Sequence, residues 1–173
     1  MPQLIKRGAL AVDPFTLVRD AAAELPSGPV IVPLAVWIAQ RETLAARGDV
    51  GVWLTPADDP SALAADVGRL PVVAVDFPQF TDGRGYSSAR LLRERYGYAG
   101  ELRAIGDIQR DQLAYLTQCG FDALALRDDK NAADALAGLA DFTDGYQLTH
   151  LRTPWFRRRP DGVAARPLRA VVE

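Results

Sequence analysis

Six charged residues fall in or beside the expected strand ends of one stretch of this chain: Asp76, Asp82 and Asp107, with Arg84, Arg103 and Arg127. The three carboxylates are of the type that moves a proton or coordinates Mg²⁺. The three guanidiniums are planar donors suited to clamping an oxyanion. Gly83 and Gly85 flank Arg84, and glycine lets backbone come close to a ligand. The segment from Asp76 to Asp111 is therefore the expected functional surface. Three aromatics, Phe77, Phe80 and Tyr86, share its first loop and would anchor a protein partner if exposed together.

Each of these residues also has a plainer use. Asp82-Gly83 is what a tight turn needs, and Ser87 and Asp107 are good helix N-caps. Arg103 and Arg127 could simply neutralise Asp76 and Asp107. Spacing leaves both uses open. Elsewhere, Cys119 reads as a small buried hydrophobe beside a helix end, and Trp37 and Trp53 as core. His150 lies in a poorly patterned region. Arg157-Arg158-Arg159 reads as a solvated run, or as a partner contact anchored by Trp155 and Phe156.

The elements that must position these residues alternate. Strands are expected at Pro29–Val32, Val50–Leu54, Pro71–Val75, Leu102–Ile105 and Phe121–Leu126. Helical periodicity fills Leu34–Arg47, the stretch after Asp59-Pro60, Ser87–Tyr96, Ile108–Gln118 and Asn131–Leu139. Residues 1 to 27 read as a short strand or hairpin, then a helix over Leu17–Leu25. Five β-α units predict an α/β fold with a mainly parallel sheet, either open and doubly wound or a partial (βα) barrel. In such sheets ligands sit beyond the carboxyl ends of the strands, which is where the Asp76 and Asp107 loops belong. Helix N-termini near Ser87 and Ile108 would point N–H groups at the same rim. Residues 1–150 are expected to form one domain and 151–173 a partly mobile extension.

Composition narrows the classes. The 173 residues are 49% hydrophobic and 24% charged, with a net charge of -2, which suits a folded domain. That balance gives no bulk attraction to nucleic acid or to an anionic membrane. One cysteine excludes an internal disulfide, and one histidine with it excludes a Cys/His zinc site, an iron–sulfur cluster or a typical haem site. No metal site is expected and no cofactor can be assigned. No apolar run is long enough for a membrane span, and no secretory leader is visible, so a cytoplasmic location is expected. A homodimer would be unsurprising.

The residues from Val75 to Tyr98 (VDFPQFTDGRGYSSARLLRERYGY), Gly100 to Asp107 (GELRAIGD), Arg110 to Leu113 (RDQL) and Cys119 to Arg127 (CGFDALALR) resemble an uncharacterised bacterial family, domain of unknown function 934. Pro33-Leu34 with Trp37, and Asp58-Asp59-Pro60, extend the resemblance toward the N-terminus. Ile108-Gln109 departs from it, where Val-Leu would be expected. The family is labelled an oxidoreductase involved in sulfite reduction. The resemblance therefore implies a role in sulfite reduction or sulfate assimilation, whose substrates are oxyanions of the kind arginines hold.

Three functions follow as expectations. The first is a small-oxyanion site at the strand rim. The second is a non-enzymatic accessory module that binds sulfite reductase or another sulfur-assimilation enzyme. The third is an oxidoreductase using NAD(P)H or flavin, for which a Gly83–Gly85 phosphate cradle would be needed; no dinucleotide fingerprint is present. Enzyme and non-enzyme both remain open.

Overall fold

A computed structural model describes residues 3–127, 129 and 131–139. The chain opens with β1 (Gln3–Lys6) and β2 (Ala9–Ala11), an antiparallel hairpin. Six strands in parallel follow: β3 (Thr16–Leu17), β4 (Val30–Pro33), β5 (Val50–Leu54), β6 (Val72–Phe77), β7 (Glu101–Gly106) and β8 (Ala123–Leu126). The sheet order is β2-β1-β8-β7-β6-β5-β4-β3, with β1 antiparallel to β8.

The parallel strands lie side by side in chain order, with no reversal. That rules out the doubly wound alternative, whose strand order must switch direction and whose helices cover both faces. The strand connections here include α1 (Leu34–Ala39), α2 (Arg41–Arg47), α3 (Arg84–Arg90) and α4 (Leu113–Gln118), with α5 (Ala132–Gly138) after β8. Trp37, Leu44, Ala89, Leu92, Leu113, Leu116 and Ala135 pack with Val32, Val52, Val73, Val75, Leu102 and Leu124 in one core. The opposite face carries Ile31, Trp53, Val72, Ala74 and Ile105 and receives Phe15 and Leu17, with no helical residue among them. Among the described residues, helices thus cover one face.

The sheet must curl. Laid flat, seven inter-strand gaps of about 4.8 Å would set its edges about 34 Å apart. Yet the edge strands β2 and β3 are joined by Val12–Phe15 alone. Five Cα–Cα steps span at most about 19 Å. The result is a curled half-barrel with helices outside, and residues 12–19 form a strap across its concave face.

Five strand positions agree with the sequence reading; with the hairpin and β3 the described residues form eight strands. The helix expected over Leu17–Leu25 is absent. Thr16 and Leu17 instead pair with β4, because that edge is open to them, and the Asp20 side chain turns the chain by accepting the Ala22 N–H at 2.9 Å. The helix expected over Leu34–Arg47 breaks at Gln40, whose φ/ψ of -125°/26° is not helical. After Asp59, which caps with its side chain as expected, a single 3₁₀ turn forms at Pro60–Leu63. Helix α3 begins three residues before Ser87, with the Asp82 carboxylate accepting the Arg84 N–H at 3.2 Å. Gln109 and Gln112 build a reciprocal capping box at the Arg110–Gln112 turn, so the departure from the family pattern has a local use.

Below the sheet, Tyr98 is buried with its hydroxyl within 3.0 Å of the Glu101 carbonyl and 3.2 Å of the Leu70 carbonyl. Burial pushes its phenol far above the usual value of 10.0, so the folded state favours the neutral form. That contribution is full below the unfolded value and is lost as pH climbs above about 10. Tyr98→Phe is expected to flatten the fall in stability between about pH 9 and pH 11. Urea unfolding across that range checks it, and an unchanged slope would assign the alkaline loss to other groups.

Candidate functional site

The carboxyl ends of β6, β7 and β8 bring three of the expected residues to one rim. Asp76 is the fifth residue of β6 and lies on the concave face with Val72 and Ala74. It is largely buried, and its carboxylate oxygen lies 3.3 Å from the Arg19 guanidinium, at the end of the strap. In a flat sheet β3 and β6 would be three strands apart, so the curl itself creates this pair. Arg19 also lies over the Trp53 ring at 5.7 Å, while the Trp53 indole N–H donates to the Val18 carbonyl at 2.9 Å. The Val18–Arg19 end of the strap is thereby held against β5 and β6.

Gly106 shapes the same corner. Its φ of +100° is left-handed, and a Cβ there would meet the Phe77 carbonyl and come within 2.9 Å of the Asp76 carboxylate. The turn places Asp107, whose N–H donates to the Phe77 carbonyl at 2.7 Å. Arg127, at the end of β8, holds Asp107 at 3.0 Å and Asp129 at 2.9 Å. These neighbours hold the Arg127 guanidinium further toward its charged form.

The other expected residues fall elsewhere. Arg84 is exposed and paired with its own neighbour Asp82 at 2.7 Å, which lowers the Asp82 carboxyl below its ordinary range. Gly83 is the residue before α3. Gly85 lies in the first turn of α3, where a Cβ would stand 2.7 Å from the Phe77 ring. Its bareness therefore serves helix-on-sheet packing and offers no separate sign of a phosphate cradle.

The aromatic trio divides. Phe77 is buried against Tyr86 and Phe121, with ring centres 5.2 and 5.9 Å away, so it is core and not an exposed anchor. Alternation in β6 points it to the helix face. Phe80 is 50% exposed, and Tyr86 is half-buried with its ring 4.9 Å from Tyr115, itself 50% exposed. Trp155 and His150 lie outside the described residues, as does the proposed 151–173 extension.

Arg103 does not neutralise Asp76. It sits mid-strand on the concave face, only 2% exposed, two residues below the rim and opposite Ala74. Its Nη1 reaches Asp13 of the strap at 2.6 Å and its Nη2 reaches Glu101 at 2.6 Å. Lys6 of β1 holds the other Glu101 oxygen at 2.6 Å. The Phe15 ring lies 5.6 Å from the guanidinium. Arg19, Asp13, Glu101 and Lys6 were missed as site residues. Glu101 and Arg103 did carry a signal, because residues two apart in a strand share a face and opposite charges there can pair. Nothing local marks Arg19 or Asp13.

Among the described residues, no group of three His, Cys, Asp or Glu side chains is placed to hold a metal ion, and no helix is long and apolar enough to cross a membrane.

The fold and rim define an α/β half-barrel protein with an ion-paired concave face. Residues 51–156 match the family described as bacterial protein of unknown function (DUF934). That is more than half of the chain, and the chain belongs to this family. The matched stretch runs from β5 past α5 and includes Asp76, Arg103, Asp107 and Arg127, whereas the hairpin and strap precede it. No curated protein matches the chain.

Proposed function

We propose that this protein holds a small sulfur oxyanion at the half-barrel rim and serves sulfite reduction or sulfate assimilation. The observation that carries this reading is the Arg19 guanidinium, half exposed at the mouth, held by Asp76 on one side and Trp53 beneath. Guanidinium has five donors in a rigid fork, and Asp76 takes one of them. Its partner Asp76 stands near the carboxyl end of a parallel strand, and barrel-type sheets place ligands at that end, which supports a site for the remaining donors. Asp76 orients the fork and stands where it could exchange a proton with a bound bisulfite. The sulfur assignment comes from the family resemblance.

Arg19→Gln leaves a polar amide but shortens the side chain and removes its charge. Sulfite and sulfate titrated by calorimetry should bind the native protein, and the variant should lose about tenfold or more in affinity, since a charge-assisted bond contributes about 1.5–3 kcal/mol. Equal affinity in both proteins would overturn the rim reading.

A second reading has its own observation. Phe80 and Tyr115 expose aromatic surface on the helix side, and the Gln112 amide fixes the Phe80 carbonyl at 2.9 Å. That patch supports an accessory module that docks on sulfite reductase. If the anions fail to bind, purified sulfite reductase retained by the native protein and not by a Phe80→Ala/Tyr115→Ala variant would establish docking.

A further inference from the structure

The buried ion-pair cluster on the concave face has no account in stability. Lys6, Glu101, Arg103 and Asp13 meet where the surrounding face is Val72, Ala74 and Ile105. Taking such charges out of water costs several kcal/mol per ion, and packed apolar side chains of similar volume often serve stability as well or better. The charges therefore call for another use.

Their connectivity suggests one. Glu101 is on the same strand as Arg103 and accepts from its Nε at 2.8 Å, with Nη2 2.6 Å from the same oxygen but making no hydrogen bond, while its other oxygen holds Lys6. Those three groups rise from β7 and β1, which both pair with β8, so their backbones are held in the sheet. Asp13 differs, because it comes from the strap and covers the remaining guanidinium edge through Nη1. Between Ala11 and Thr16 the strap makes no ladder bond among the described residues. It has the Phe15 N–H bond to the Asp13 carboxylate at 3.0 Å and the Phe15 ring on Arg103. Val12 beside it is 88% exposed.

We propose that Arg103 and Lys6 form a second anion site, one layer below the rim, which the Asp13 carboxylate fills as a tethered occupant and which a small inorganic oxyanion takes when the strap swings away. Asp13 presents to Arg103 the oxygen that a sulfate or phosphate would present. With Asp13 in place the four side chains sum to zero charge; with Asp13 withdrawn they sum to +1 and attract an anion. Exchange of one anionic oxygen for another keeps Arg103 paired throughout, so opening leaves no buried cation bare. This site does not need Arg19, so it stands or falls separately from the rim reading.

Asp13→Asn tests it, because asparagine keeps the side-chain oxygen that caps Phe15 while removing the competing charge. Calorimetric titration with inorganic sulfate and phosphate, at matched ionic strength, is expected to show about tenfold tighter binding than to the native protein, since affinity scales with the fraction of open molecules. Lys6→Gln, at a partly exposed position that should spare the fold, is expected to weaken binding. Arg19→Gln is expected to leave it in place. In the native protein, added phosphate should speed hydrogen exchange at the Phe15 amide, which is bonded to the Asp13 carboxylate. Asp13→Asn binding no more tightly than native, or exchange in the strap unmoved by phosphate, would overturn the proposal.

Discussion

Arg103→Ala is expected to lower folding stability by about 3 kcal/mol, the low end of the range for breaking a buried ion pair. The loss comes from what remains. Glu101 keeps Lys6, but Asp13 loses its cation while its side chain stays mostly covered. Residues 12–15 of the strap lack ladder bonds, so this part can carry Asp13 into water and recover part of the loss, which is why the low end is expected. Urea unfolding measures the change. Adding Asp13→Asn to Arg103→Ala should restore about 1 kcal/mol or more, because the stranded carboxylate is gone. A loss below about 1 kcal/mol for Arg103→Ala would mean that the cluster relaxes freely and that Arg103 is not the keystone of this face.

The second large effect lies on the opposite face of the sheet. Phe77→Ala is expected to cost about 3–5 kcal/mol, the range for truncating a buried phenylalanine. Its ring stands between Tyr86 and Phe121 and closes directly on Gly85, so several neighbours would have to collapse to refill the space. The coupling to Gly85 sharpens the test. A Cβ at Gly85 would stand 2.7 Å from the Phe77 ring, so Gly85→Ala alone should destabilise by overpacking. In the Phe77→Ala background only the Val75 methyl at 3.0 Å stays close, so the same substitution should cost much less than it does alone. Additive losses in the double variant would show that Gly85 is needed for a reason other than its contact with Phe77.

The rim and the strap-covered cluster bear on each other. Residues 13 and 19 are six apart in the chain and tie one strap to β7 and β6 respectively. An anion that frees Asp13 would loosen the segment that carries Arg19. The half-barrel thus offers a shallow cation at its mouth and a deeper one behind the strap.

The sequence by itself determined the strand cores and the composition of the rim. Branched apolar runs such as Val72–Val75 can be satisfied only by burial on both faces, which makes them parallel strands whatever their order. Asp76, Asp107 and Arg127 were placed at the rim for the same reason, since each follows directly on an apolar strand. Helix ends were less legible. Ser87 had the right type for a cap, but Asp82 held the better position, and Gly85 was drawn into the helix to lie against Phe77. Whether Phe77 was core or anchor was not legible, because its loop-like neighbours Pro78 and Gln79 hid the last residue of a strand.

Pairing across the sheet was decided by tertiary structure alone. Arg103 meets Asp13 across 90 positions and Arg19 meets Asp76 across 57, and no local pattern encodes either contact. Both exist because a four-residue link joins the two edges of an eight-stranded sheet and forces it to curl. Local chemistry fixes which residues are strand, cap or turn. Closure of the chain on itself decides which charges meet, and so where the candidate sites lie.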